Sequence, residues 1–193
     1  MEISPLTCRE LMHFALYTSK IKRADLTIQY LKQLIQIEPD NVDALFLLGS
    51  EYAEINLIDE GVEAMEKALQ LSEEAHLVRF QLAMLQLSIG ENQKAIDGLT
   101  HLEDLPEEAL LYHYAKGMLA LMDEHIETAM DWLTKGLGLP TDNQPLQVNM
   151  QALLDKIKRA EKNNETSELL KNEDGSDENK NASKLFLSIY DKN

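Results

Sequence analysis

Apolar and small residues recur along this chain with a period of thirty-four. Within each period they form two helical stripes separated by a short polar break. Aligned without a gap, residues 8–41, 42–75, 76–109 and 110–143 put Ala15, Gly49, Ala83 and Gly117 at the eighth position of their copies. Position seven is Phe14, Leu48, Leu82 and Lys116, position twenty is Thr27, Gly61, Ala95 and Ala129, and position twenty-four is Leu31, Met65, Leu99 and Leu133. Ala and Gly make up about a sixth of ordinary usage, so a small residue at position eight in all four copies would arise by accident less than about once in a thousand tries. The physical demand behind it is close approach: side chains set the distance between packed helices, and a missing one lets two helices cross tightly.

The stripes predict helices near 8–20, 24–37, 42–54, 58–71, 76–88, 92–104, 109–121 and 125–137. Thr7 and Glu10 have capping-box spacing ahead of the first. Asn56 and Gly90 fall at the same place between the two helices of their copies, where a chain leaving a helix often turns left-handed. Lys22 and Glu124 stand there in the other two copies and leave those boundaries open. After the fourth copy a further helix runs over 144–161, with Leu146, Met150, Leu153, Leu154 and Ile157 on one side and Asn149, Gln151, Asp155, Lys158 and Arg159 on the other. Such a half-repeat reads as a solubilising cap. Residues 162–193 turn to Asn, Glu, Asp, Ser and Lys, a composition too polar to offset its ordering entropy, and are expected to form a flexible acidic tail. The tail ends in an apolar terminus, 184–190, where Leu185, Phe186, Ile189 and Tyr190 would share a helix face.

This pattern resembles the tetratricopeptide repeat family. The second copy carries the motif most fully, as Leu45, Leu48, Gly49, Tyr52, Gly61, Met65 and Ala68, and the first adds Pro39 near its end. Departures are Lys116 at a usually apolar place, Gly136 at the small position late in the fourth copy, and Pro106 and Pro140 one place early. The resemblance implies an all-α, right-handed superhelix of about four helix pairs plus a C-terminal capping helix, preceded by a lead-in of residues 1–7. It also implies a concave surface, lined by positions two, five, nine, twelve and thirteen of the first helices, that takes a partner's peptide. Copy one supplies Arg9, Met12, Leu16, Ser19 and Lys20 there, copy two Asp43, Phe46, Ser50, Ala53 and Glu54. Copy three supplies Leu77, Phe80, Met84, Leu87 and Ser88, copy four Leu111, Tyr114, Met118, Leu121 and Met122. Family members that clamp a carboxylate terminus need cationic and amide donors where this chain has Met12, Leu16, Leu47, Leu77 and Gln81, so an apolar ligand is expected instead. The expected peptide-binding residues are Met12, Leu16, Phe46, Ser50, Leu77, Phe80, Met84, Leu87, Tyr114, Met118, Leu121 and Met122.

Composition narrows the partner class. Eighteen basic against thirty-four acidic residues give a net charge of −16, a field that repels nucleic acid. No apolar run approaches a membrane span, and the first residues lack the order of a secretory signal, so the expected location is cytoplasmic. The five histidines lack ligand spacing, and no Gly-rich phosphate loop, nucleophile elbow or zinc-finger spacing occurs, so neither metal, cofactor nor enzyme activity is expected. The lone Cys8 sits at a helix N-terminus, which would lower its pKa, but has no base beside it in sequence. Trp132 and Tyr30 read as packing between repeats. The reading is a small, bacterial-type adaptor or chaperone that binds an apolar segment of another protein. The alternatives are a secretion-type chaperone for an exported protein and a self-associating scaffold that uses 184–190.

Overall fold

In the computed structural model, which describes residues 6–162, α1 spans Cys8–Lys20 and opens on the capping box that Thr7 and Glu10 spell. The Glu10 carboxylate accepts from the Thr7 N–H at 2.9 Å, and the Thr7 hydroxyl accepts from the Glu10 N–H at 3.3 Å. The first five residues of the expected lead-in, and residues 163–193 with the expected tail and its terminus 184–190, lie outside the described residues.

The remaining helices are α2 (Ala24–Ile37), α3 (Val42–Glu54), α4 (Ile58–Leu71), α5 (His76–Ser88), α6 (Asn92–His101), α7 (Leu110–Met122), α8 (Ile126–Leu137) and α9 (Gln144–Lys162). These bounds follow the thirty-four-residue register, and an asparagine cap recurs at two of its boundaries. Asn41 caps α3 by accepting from the Ala44 N–H at 2.9 Å, and Asn143 does the same for α9 through the Leu146 N–H at 3.1 Å. The turn position is left-handed in all four copies, with φ of 58° at Lys22, 64° at Asn56, 78° at Gly90 and 60° at Glu124. Lys22 and Glu124 therefore adopt the conformation that Asn56 and Gly90 favour, held by the helices on either side. In the third copy the expected second helix, 92–104, ends early at His101 and tightens into a 3-10 turn, Leu102–Asp104. Pro106 explains the change, since the residue before a proline is driven to extended backbone, and Leu105 has φ −70° and ψ 154°. Both helices of the fourth copy begin one residue later than expected.

The chain divides into two compact units, Met1–Leu85 and Gln86–Asn193, with the boundary inside α5. In the first, α1 packs on α2, α2 on α3 and α3 on α4. One core cluster joins Leu11, Ala15, Leu31, Leu34, Ala44 and Leu48, and a second joins Leu45, Met65, Ala68, Val78, Leu82 and Leu85. The small residues sit where the period demands them. A Cβ built on Gly49 would lie 2.9 Å from the Gly61 carbonyl oxygen, and one built on Gly61 would lie 3.0 Å from that of Gly49. The corresponding crossing in the first copy holds a buried hydroxyl pair: Thr27 donates to Thr18 at 2.9 Å, and Thr18 donates to the Phe14 carbonyl at 2.8 Å.

In the second unit α6 and the 3-10 turn pack on α7, α7 on α8 and α8 on α9. Gly117 lets α8 approach, because a Cβ there would meet Leu133 at 2.8 Å. Along α9, Leu146, Met150, Leu153, Leu154 and Ile157 are buried while Val148, Asn149, Gln151, Lys158 and Arg159 are exposed, the amphipathic division of a capping helix. Among the described residues no helix is long and apolar enough to cross a membrane.

Candidate functional site

The helix faces divide the twelve expected peptide-binding residues into two groups. Phe80, Met84, Leu87, Tyr114, Met118 and Leu121 are between 0 and 4% exposed and belong to the interior. Tyr114 shows why in atomic terms. A Cβ on Gly136 would lie 2.5 Å from its Cε1 and 2.6 Å from its Cδ1, so the Tyr114 ring fills the space that the missing side chain of α8 leaves. The departure at Gly136 and the large residue at position five of the same copy are one packing solution. At these six positions the apolar run of copies three and four corresponds to core.

The other six are accessible. Leu16 is 50% exposed, and Met12, Phe46, Ser50, Leu77 and Met122 are half-buried. Five of them, Met12, Leu16, Phe46, Ser50 and Leu77, lie in the first unit on α1, α3 and α5. Their undersides are anchored: Met12 packs against the Leu11–Leu31–Leu48 cluster and Phe46 against the Leu45–Met65–Leu82 cluster. The Ser50 hydroxyl donates to the Phe46 carbonyl at 3.0 Å, leaving its oxygen as an acceptor. Exposed charges flank them on the same helices, Arg9 and Lys20 on α1, Asp43 and Glu54 on α3.

Between α1 and α3 sits an acid that sequence reading did not single out. Glu51 is 7% exposed, and burial pushes its carboxyl above the ordinary range. A hydrogen bond from the Ser19 hydroxyl opposes that shift, and the neighbouring Glu54 charge adds to it. The available signal was positional: Leu85 and Leu119 hold the same place, position ten, in the next two copies.

Cys8 corrects an expectation. A hydrogen bond to the Glu38 carboxylate, with burial and the Glu38 charge, pushes its thiol up, against the lowering that a helix N-terminus would give. The thiolate is therefore disfavoured at Cys8. Lys116, the other departure, extends from the usual apolar position to pair with Glu103 at 2.9 Å. It lies 5.3 Å from the Tyr112 ring centroid and 5.4 Å from that of Trp132, while Lys135 lies 4.3 Å from Trp132 on its own helix. The i, i+4 spacing of Tyr112 and Lys116 and the i, i+3 spacing of Trp132 and Lys135 carry this cluster in sequence.

The family model for the tetratricopeptide repeat matches residues 42–74, the copy that carries the Gly49–Gly61 crossing. Residues 42–74 form a tetratricopeptide repeat, and the chain has the fold of tetratricopeptide repeat proteins. Solved structures with the same fold include MamA from Desulfovibrio magneticus RS-1, 15% identical, with 94% of this chain and 92% of that chain covered at a TM-score of 0.58. In the APC/C hetero-tetramer Cut9–Hcn1 the match is 16% identical, covers 95% of this chain and 34% of that chain, and has a TM-score of 0.70. YrrB, described as a TPR protein with an unusual peptide-binding site, is 13% identical over 93% of this chain and 84% of its own, with a TM-score of 0.54. At these identities the likeness establishes the fold. No curated protein sequence matches the chain. The tetratricopeptide repeat fold supports a protein-interaction module.

Proposed function

We propose that this protein binds an apolar segment of a partner protein on the first-helix face of its N-terminal unit, at Met12, Leu16, Phe46, Ser50 and Leu77. The observation that carries the reading is a set of large apolar side chains left open at the register positions through which the family takes peptides. Core packing does not require Leu16 to stand half exposed, and its accessible surface is what a ligand would cover. Burial supplies the affinity: at about 25 cal/mol per Å² of apolar surface, a segment covering a few hundred square ångströms gains several kcal/mol before ordering costs. Met12 adapts to irregular ligands through its flexible thioether, which suits a holdase or adaptor with several clients. The flanking Arg9, Lys20, Asp43 and Glu54 would select charge on either side of the apolar stretch. The role is that of a cytoplasmic adaptor or small chaperone, acting by binding and without catalysis.

The test is capture from native extract on the immobilised full chain, with Leu16→Asp and Phe46→Ser beside a Val148→Asp control on the exposed side of α9. A partner held by wild type and by the control but lost by the first two variants supports the site, and a synthetic peptide of its captured segment should then compete. Equal capture by all four proteins overturns it.

A further inference from the structure

Successive copies act as internal controls for one another. Positions three and seven of the first helix in copy two, and three, seven and ten in copy three, are covered by the second helix of the copy before: Ala44 and Leu48 pack with Leu31 and Leu34, and Val78, Leu82 and Leu85 pack with Met65 and Ala68. The same positions on α1 are Glu10, Phe14 and Tyr17, and among the described residues no helix precedes α1. Phe14 is 38% exposed and Tyr17 58%, where their counterparts Leu48, Leu82, Glu51 and Leu85 are buried. Phe14 is held in place by Tyr30, whose ring stacks on it at 5.4 Å. This face has the register of a helix-docking seam, and among the described residues no helix covers it.

We propose that residues 173–190 of a second copy of this chain dock there, in the place a preceding second helix would take. The apolar part fits by spacing: Leu185, Phe186, Ile189 and Tyr190 would share one face of a helix, as Leu31, Leu34 and Ile35 do where α2 meets α3. The charged part fits by direction. Consecutive helices joined by short turns run antiparallel, so a helix docked on α1 in this way has its N-terminal side at the C-terminal end of α1. That end carries the exposed Lys20 and Lys22, beside Arg23, which pairs with Asp25 at 2.8 Å. The segment carries Glu173, Asp174, Asp177 and Glu178 on its N-terminal side, ahead of the apolar residues. The opposite polarity would bring those acids to Glu10. Thirty-one residues follow α9, enough to reach from one copy to another, and reciprocal exchange closes a two-fold dimer in which each copy gives a segment and receives one. Phe14 and Tyr17 are separate from the residues of the proposed peptide site, so either proposal can fail without the other.

A photoreactive benzoylphenylalanine placed at position 17 of the full chain tests it. Irradiation should give an adduct at the mass of two chains, joined to residues 184–190, and the Phe186→Asp, Ile189→Asp double variant should abolish it. The same probe at Glu63, exposed on α4, should give none. Adducts within one chain, adducts to any other segment, no adduct, or an equal yield from position 63 would each overturn the proposal.

Discussion

Replacing Gly136 by Ala sets two known effects against each other at one buried site. Helix propensity favours the change by about 1 kcal/mol, because α8 gains a residue that loses less backbone entropy. Packing opposes it. The new Cβ would lie 2.5 Å from Tyr114 Cε1, and ordinary carbon contact begins near 3.5 Å, so the ring must retreat by about 1 Å. Tyr114 is 1% exposed and belongs to the interior. Overpacking of that kind costs about 1–3 kcal/mol, with about 0.5–1.5 kcal/mol more where a side chain is forced off its rotamer. The expected net effect is a destabilisation of about 1–2 kcal/mol. Trp132 is the only tryptophan and lies on α8, so urea unfolding followed by its fluorescence reads this region directly. Gly138→Ala is the matched control: its nearest neighbour would be 3.4 Å away, an ordinary contact, and its stability should stay within about 0.5 kcal/mol of wild type. Pairing Gly136→Ala with Tyr114→Leu should remove the packing penalty and expose the propensity gain. A Gly136→Ala protein as stable as wild type, or more so, would refute the close approach and with it the reason given for Tyr114 being interior.

Lys22→Gly and Glu124→Gly should each stabilise by about 0.5–1 kcal/mol in thermal or urea unfolding, since both residues hold a left-handed φ that glycine adopts without strain. Glu51→Gln should raise the melting temperature at neutral pH. The folded-state pKa of Glu51 is raised, so the native state holds the proton longer than the unfolded chain, and stability falls as pH climbs from the unfolded value through the folded one. The gain from Glu51→Gln is therefore absent below about pH 4 and complete above the folded pKa, and a gain independent of pH would contradict the burial argument. Lys116→Met should stay within about 1 kcal/mol of wild type, because the stem packs where other copies have apolar side chains. Lys116→Ala should cost about 1–2 kcal/mol through lost packing and ring contact, and Glu103→Gln less than about 1 kcal/mol.

The repeat was legible because its constraints are local and recur. A small residue at the crossing, a left-handed turn and a capping residue fix helix ends from the sequence, and the structure departs from the expected bounds chiefly where Pro106 tightens the end of α6. What covers each face was not legible. Phe80, Met84 and Tyr114 share a periodic stripe with Leu16 and Phe46, and periodicity names a face without saying whether a neighbour lies against it. Tyr114 and Gly136 look like separate choices in sequence, twenty-two residues apart, and only their contact shows them to be one. Cys8 failed for a similar reason: its helix position is read within three residues, but the opposing carboxylate comes from Glu38, at the end of the next helix.

The charge of this chain is unevenly spread, and that gives the self-docking proposal a sign that can be measured. Residues 42–75 carry nine acidic residues and one basic, whereas the first helix pair, 8–37, carries five basic and two acidic. For two copies of a protein of net charge −16, long-range repulsion opposes association, and added salt should relieve it if apolar contact alone holds them. If the acidic run 173–178 seats on Lys20, Lys22 and Arg23, the local attraction is what salt removes, and association weakens as the screening length falls from about 10 Å at 0.1 M to about 3 Å at 1 M. Dimer dissociation followed by sedimentation across that range should therefore tighten under the first arrangement and loosen under the second. Lys20→Gln with Lys22→Gln should flatten the salt dependence while leaving the fold intact, since both side chains are exposed. Tightening with salt in the wild type would remove charge direction as the basis for placing the segment antiparallel on α1.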